Sequence, residues 1–184
     1  MTTSWIIIAV LGIIAAYLIV TYNRLVRGRN RVREAWADID VQLKRRHNLI
    51  PNLVEAVKGY MTHERGVLEN VTKARSAVMG AKNPADVAEK ESMLSDALKS
   101  LFAVSENYPD LKASENFLEL QREVRDAEDK IQAARRFYNT NVRDYNTAIE
   151  SFPVNLLAGM FNFEHENLFK IEVESERGVP KVEF

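Results

Sequence analysis

The chain has 184 residues, with 25 basic and 26 acidic side chains, no cysteine and a formal net charge of −1. A chain this close to neutrality lacks the basic excess expected of a nucleic-acid-binding protein. Without cysteine it can form neither disulfides nor thiolate metal sites.

Residues 5–22 form an apolar run without a charged side chain. At about 1.5 Å rise per residue, such a run nearly spans the ~30 Å hydrocarbon core of a bilayer and predicts a transmembrane helix. A cleaved signal peptide is the alternative, but it needs positive charge before the apolar run and small residues after it. Residues 1–4 carry no charged side chain, and Tyr22, Asn23 and Arg24 end the run. We therefore expect a retained anchor.

Five arginines, here called the arginine cluster, follow the apolar run. They are Arg24, Arg27, Arg29, Arg31 and Arg33. Because cytoplasmic flanks of membrane helices are rich in Lys and Arg, the cluster predicts a single-pass protein of the inner (plasma) membrane. Residues 1–4 would lie outside and the remainder in the cytoplasm. These side chains should also attract anionic lipid, by on the order of 1 kcal/mol each.

Apolar residues recur at alternating three- and four-residue spacing over most of residues 36–152. This spacing is typical of amphipathic helices that pack as in coiled coils. It predicts an all-α fold, with a cytoplasmic bundle of three to four antiparallel helices over residues 23–163. The expected helices are one that continues from the membrane to about Gly80, one at residues 84–107 and one at residues 111–152.

Prolines refine this prediction. The apolar register continues across Pro51, which indicates a bent but continuous first helix. Pro84 follows Asn83, which is expected to cap the second helix. The first helix is much longer than its partners, so it either folds back at Pro51 to give four helices or projects from the membrane as a stalk.

The membrane-proximal part of the first helix carries an apolar stripe, here called the membrane-proximal stripe. It consists of Leu25, Val32, Trp36, Ile39 and Leu43. On a projecting stalk this stripe would be exposed, and the same stripe on a second copy is the simplest cover for it. The sequence therefore predicts a homo-oligomer.

Three polar side chains, Arg46, Glu64 and Asn141, occupy positions of the apolar series. An unpaired buried polar group costs about 1–3 kcal/mol, so each is expected to have a partner and to fix the helix register. A functional polar pocket is the alternative. The pairs Tyr138-Asn139 and Tyr145-Asn146 repeat after one heptad and predict hydrogen bonds to another helix.

No catalytic, cofactor-binding or metal-binding constellation is evident in the sequence. The three histidines are scattered, and neither His63 nor His165 is followed four residues later by the second histidine of a zinc helix motif. We therefore predict no enzyme activity, no cofactor and no metal.

The C-terminal residues 164–184 have six acidic and three basic side chains and alternate apolar with polar residues. This predicts an extended acidic tail that forms a small hairpin or binds a protein partner. The segment before it predicts a short amphipathic helix that packs on the bundle end or against the membrane. Its apolar residues are Leu156, Leu157, Met160, Phe161 and Phe163.

Four stretches of the sequence match motifs of a known protein family. They are IDVQLKRRHNLIPNLVEAVKGY at residues 39–60, ENYPDLKASENF at 106–117, ARRFYN with VRDYN within 134–146, and FPVNLLAGMFNF at 152–163. Together they closely resemble the LemA family. The resemblance implies a helical cytoplasmic bundle on an N-terminal anchor, and it implies no enzymatic reaction.

The features combine into a functional hypothesis: a membrane-anchored, non-enzymatic helical scaffold that self-associates and organises membrane or protein partners. The alternative is a ligand-binding or enzymatic bundle with a polar pocket near Arg46, Glu64 and Asn141. The expected partners are the lipid bilayer, a second copy of the chain and a protein bound through the acidic tail, but no nucleic acid.

Overall fold

The computed structural model describes residues 2–81 and 83–169, and every regular element within these ranges is an α-helix. The helices are α1 (Thr2–Lys58), α2 (Arg65–Met79), α3 (Pro84–Ser105), α4 (Pro109–Lys112), α5 (Glu115–Glu150) and α6 (Val154–Met160). The predicted all-α class, with an N-terminal apolar helix that continues into the helical domain, is confirmed.

The first helix is continuous through Pro51, as the apolar register predicted, but it is shorter than expected. It ends at Lys58 rather than near Gly80. Gly59 follows, a residue that costs a helix about 1 kcal/mol relative to alanine. The amides of Tyr60 and Met61 both donate to the carbonyl of Val57, at 3.0 and 2.9 Å, and close the turn. The long helix is therefore interrupted after residue 58, while Pro51 lies within it.

The start of α3 is the one that the sequence predicts. Pro84 is its first residue, and the side chain of Asn83 accepts a hydrogen bond of 2.9 Å from the amide of Asp86. This bond satisfies one of the amides that a helix start leaves unpaired. The predicted third helix is divided, because the single turn α4 precedes α5 and Ala113 and Ser114 lie between them.

The described chain divides into two compact units, to each of which both α1 and α5 contribute. The anchor unit contains the chain up to Asp40 together with Gln132–Leu168. The core unit contains Val41–Ile131 together with Phe169.

The core unit is held by one cluster of buried apolar side chains from α1 to α5. Its members are Ile50, Leu53, Val57, Met61, Val71, Ala74, Val78, Leu94, Leu98, Leu101, Leu111, Phe117, Leu120 and Val124. Because Met61 and not Tyr60 is buried, the apolar series shifts by one residue at the interruption after α1. It resumes in α2 with Val71, Ala74 and Val78.

In the anchor unit, α1 and the C-terminal part of α5 are antiparallel. The rings of Trp36 and Tyr138 meet edge to face at 5.5 Å. Eight residues earlier on α1, a Cβ at Gly28 would lie 3.2 Å from Cδ2 of Tyr145, so the glycine lets the ring approach the helix. Residue numbers thus fall along one helix as they rise along the other.

The membrane-proximal stripe is covered by the chain itself. Leu25, Val32 and Ile39 are buried in the anchor unit, Leu43 is buried in the core unit, and Trp36 is half-buried. The projecting stalk considered above is therefore not observed. A second copy is not needed to cover these side chains.

The N-terminal part of α1 has the opposite character. Within the described residues, α1 is the one helix long and apolar enough to cross a membrane, and its apolar window has no buried residue. Large side chains from Trp5 to Val20 are exposed.

The chain after α6 is irregular. Asn162 has a φ of 52°, a left-handed conformation that asparagine tolerates better than most residues. Residues 164–169 follow without regular secondary structure. Residues 170–184, which make up most of the predicted acidic tail, lie outside the described residues.

Candidate functional site

A buried group of charges joins three helices in the core unit. Arg46 of α1 is 1% exposed, and its guanidinium forms ion pairs with Glu91 of α3 and Glu128 of α5. Its Nη1 also donates to the Oγ of Ser95, at 3.0 Å. Arg46 was one of the three polar residues that the sequence singled out, and its partners come from segments 45 or more residues away.

His47 extends this group. Its Nε2 lies 2.8 Å from Oε1 of Glu91, and its backbone carbonyl accepts a 3.0 Å hydrogen bond from Nε of Arg75 in α2. We call Arg46, His47, Glu91, Ser95 and Glu128 the Arg46 cluster.

The Arg46 cluster places one guanidinium between two carboxylates. The desolvation cost of burying such charges is offset by their mutual attraction only where the hydrogen bonds are well made. Arg46 therefore links α1 to α3 and α5 through ion pairs, and its role in fixing the helix register stays a prediction.

Glu64 and Asn141 are half-buried and belong to other environments. Glu64 accepts a 3.4 Å hydrogen bond from the hydroxyl of Tyr108, whose pKa is raised by desolvation and then by the Glu64 carboxylate. Asn141 lies in the anchor unit and donates to the carbonyl of Phe137 on its own helix, at 2.9 Å. Each of these two residues thus has hydrogen-bond partners within its own unit.

Arg45 provides a more exposed counterpart to Arg46. It donates to Asp126 at 2.8 Å, and Lys130 donates to the same carboxylate at 2.9 Å. The hydrogen bond from Lys130, supported by Arg45, lowers the pKa of Asp126, against an opposing effect of desolvation.

The start of the tail is fastened to α5 in the anchor unit. The side chain of Asn146 donates to the carbonyl of Glu166 at 2.9 Å and accepts from its amide at 3.0 Å. The hydroxyl of Tyr138 donates to the carbonyl of Asn167 at 2.8 Å. We call these contacts the tail clasp. The repeated Tyr-Asn pairs were the sequence signal for it, but the partner is irregular chain and not a helix.

The tail clasp changes the chemistry of Tyr138. Burial raises the pKa of its phenol, and the nearby Glu166 carboxylate raises it further. Neutral Tyr138 is the form that donates to Asn167.

The arginine cluster lies at the start of the anchor unit's helix pair. Arg29 is half-buried, and its guanidinium carbon lies 5.2 Å from the centre of the Phe163 ring, a cation–π contact. The other four arginines are exposed. Arg24, Arg27 and Arg31 line a cleft of about 630 Å³ with Asp144 and Tyr145 of α5.

A second cleft, of about 660 Å³, lies in the core unit beside α2. Its apolar lining includes Val54, Met61 and Leu68, and charged side chains such as Arg65 and Glu69 surround it. Across residues 2–81 and 83–169, no group of three or more His, Cys, Asp or Glu side chains is placed to hold a metal ion.

These observations define a helical protein with one helix able to cross a membrane, a buried charge cluster and a basic flank after the membrane helix. The sequence matches the LemA family model over residues 35–184. The chain therefore belongs to the LemA family, and the resemblance stated from its motifs is confirmed.

Among curated relatives, Protein LemA of Metamycoplasma hominis is 28% identical over 152 residues, covering 80% of this chain and 68% of the relative. Magnetosome protein MamQ 2 of Paramagnetospirillum magneticum is 24% identical, covering 89% of this chain and 71% of the relative. Magnetosome protein MamQ of Magnetospirillum gryphiswaldense is also 24% identical, covering 88% and 70%. The chain is thus a membrane-associated helical protein similar to these relatives along most of its length.

Proposed function

We propose that this protein is a non-enzymatic helical scaffold of the inner membrane, which self-associates and organises membrane or protein partners. The carrying observation is the course of α1. It runs without interruption from an exposed apolar segment to the Arg46 cluster. There the guanidinium of Arg46 forms ion pairs with Glu91 and Glu128. Such an arrangement suits a helix that positions a domain.

The relatives support this proposal in one respect. Two of them are named magnetosome proteins. A role in organising partners is consistent with such names.

The arginine cluster provides the proposed orientation. Arg24 and Arg27 lie two and five residues after the end of the apolar run, so they would lie at the depth of lipid phosphates on the cytoplasmic side. The acidic tail remains the proposed attachment point for a protein partner.

Self-association is proposed to involve the membrane helix. The membrane-proximal stripe is buried within one chain, whereas the side chains of residues 5–20 are exposed. Gly12 has no neighbouring atom within 4 Å of a Cβ placed on it, which allows a second helix to approach closely.

Two single-cysteine variants test the orientation, since the natural chain has no cysteine. On intact cells, an impermeant maleimide should label Ser4→Cys and should not label Ser100→Cys, both at exposed positions. Both should react after permeabilisation. Labelling of Ser100→Cys alone on intact cells would contradict the orientation.

The mass of the purified protein in detergent tests self-association. We expect a protein mass that is a multiple of 21.0 kDa, reduced by Gly12→Leu but not by Gly66→Leu, whose Cβ also meets open space. A wild-type mass of one chain would contradict self-association and leave the membrane anchor unaffected.

A further inference from the structure

We propose that α6 and the residues flanking it form a second membrane contact, a short helix that lies in the lipid interface beside α1. This inference rests on the proposed membrane anchoring by residues 5–22. It assigns a lipid surface as the partner of an apolar face that the protein leaves uncovered.

The proposal requires that α5 end level with the end of the apolar run on α1, at the expected membrane surface. Tyr145 packs beside Gly28, and α5 ends at Glu150, five residues later. At about 1.5 Å per residue this is a rise of about 7.5 Å. Because the two helices are antiparallel, the same rise along α1 leads from Gly28 back to Asn23, the first residue after the apolar run. The chain therefore leaves α5 at the expected level of the membrane surface.

Ring contacts place the residues that follow α6 beside Tyr22, at the same level along α1. The ring of Phe161 meets that of Tyr22 edge to face, with 5.0 Å between centroids. The ring of Phe163 meets it at 5.7 Å. Tyr22 is the last residue of the apolar run, so the segment that contains α6 begins and ends beside the end of the membrane helix.

The side chains of this segment divide into two faces. Leu157, Ala158 and Phe163 are buried against the anchor unit. Leu156 and Met160 lie four residues apart on one side of α6 and are 61% and 75% exposed, and Phe152, just before the helix, is 80% exposed. Residues 151–163 contain no charged side chain. This outer face has the character of an interfacial membrane helix, which buries its apolar side chains at the boundary of headgroups and acyl chains.

The bilayer is the partner that the surroundings favour. The outer face of α6 continues, through Phe161 and Tyr22, into the exposed apolar surface of α1. Arg24 and Arg27, two and five residues after Tyr22 on α1, are exposed where lipid phosphates would lie. The surface is therefore apolar on the membrane side of Tyr22 and basic on the other side, which is complementary to a lipid bilayer and its headgroups.

The test uses the full chain in vesicles of phosphatidylcholine and phosphatidylglycerol. Single-cysteine variants Leu156→Cys and Met160→Cys are labelled with a polarity-sensitive fluorophore, and lipids with a nitroxide high on the acyl chain act as quencher. Val20→Cys reports on the membrane helix. Phe137→Cys is the matched control, because Phe137 is also an exposed apolar residue of the anchor unit. It adjoins the Trp36–Tyr138 contact, about 21 Å along α1 from Tyr22.

We expect the label at Leu156→Cys and Met160→Cys to lose emission to the same extent as at Val20→Cys, and the label at Phe137→Cys to remain unquenched. Quenching at Val20→Cys with none at the two α6 positions would overturn the α6 contact alone. A blue-shifted but unquenched label on α6 would overturn it in favour of a second protein chain. No quenching at Val20→Cys would contradict the membrane anchor itself, and with it the proposed function.

Discussion

Arg45 and Arg46 are neighbours in α1 with the same side chain and opposite surroundings. Arg45 shares the half-buried carboxylate of Asp126 with Lys130, whereas Arg46 is buried between Glu91 and Glu128. Exposed ion pairs contribute about 0–1 kcal/mol, because water solvates and screens the charges. Removing one partner of a buried pair leaves the other charge uncompensated and costs about 3–5 kcal/mol.

The Arg46 pair leads to a prediction about stability. Arg46→Ala should lower the free energy of unfolding by about 3–5 kcal/mol, and Arg45→Ala by about 1 kcal/mol or less, in denaturant titrations followed by circular dichroism. Arg46→Met combined with Glu91→Gln should recover part of the loss, because it removes one of the two carboxylates left uncompensated. Equal effects of the two alanine variants would show that Arg46 does not carry a buried charge.

Tyr138 leads to a prediction about alkaline pH. Its pKa is raised in the folded protein, so its contribution to stability is fully present below the unfolded-state pKa of about 10. That contribution is lost as pH rises from there through the folded-state value. At pH 9, Tyr138→Phe should cost about 0.5–1.5 kcal/mol, the usual value of a hydrogen bond. The difference from wild type should shrink by pH 11.

Tyr60→Phe is the control for this measurement, because the side chain of Tyr60 is exposed. It should alter the free energy of unfolding little at either pH. A difference between wild type and Tyr138→Phe that stays constant from pH 9 to pH 11 would contradict the assigned role of the Tyr138 hydroxyl in the tail clasp.

At the scale of elements, α1 is the unusual helix, since its first part is exposed and apolar and its later part is amphipathic. Within the amphipathic part, one side of the helix is buried and the other is exposed, as Val41 shows. It lies two residues after the buried Ile39 and is 60% exposed. The partner of the amphipathic part in the anchor unit is α5, which the sequence placed in the bundle without indicating this pairing.

Ile39→Glu tests whether the chain covers its own stripe. A buried charge without a partner should destabilise the fold by at least about 4 kcal/mol. Val41→Glu should change stability by less than about 0.5 kcal/mol, as exposed substitutions do. Thermal unfolding followed by circular dichroism distinguishes these outcomes. If Ile39→Glu instead dispersed an oligomer and left the helices stable, the stripe would be an interface between copies.

At the scale of the whole molecule, local signals were the reliable ones. The apolar run, the helical spacing and the Asn83-Pro84 start each depend on residues within a few positions, and each is observed. The interruption after Lys58 also has a local cause in Gly59. The continuing apolar register concealed it, because Val71, Ala74 and Val78 are buried on both interpretations.

The partners of the candidate site could not be predicted in this way. Glu91 and Glu128 are separated from Arg46 by 45 and 82 residues, and nothing in their sequence neighbourhood distinguishes them from exposed carboxylates. The tail clasp depends on irregular chain, which has no periodicity to indicate its position. Pairing between distant segments is a property of the assembled fold, so periodicity can nominate a buried polar residue without naming its partner.

The antiparallel pairing of Trp36 with Tyr138 also sets an order of events during synthesis. The two residues are 102 positions apart, so α1 leaves the ribosome long before the part of α5 that covers it. At about 5–20 residues per second, this interval is about 5–20 s. Throughout it, Leu25, Val32 and Ile39 have no cover from their own chain beside a membrane that already holds the anchor. A chain stopped before Gln132 would lack the segment that buries these side chains in the anchor unit, and would leave them exposed.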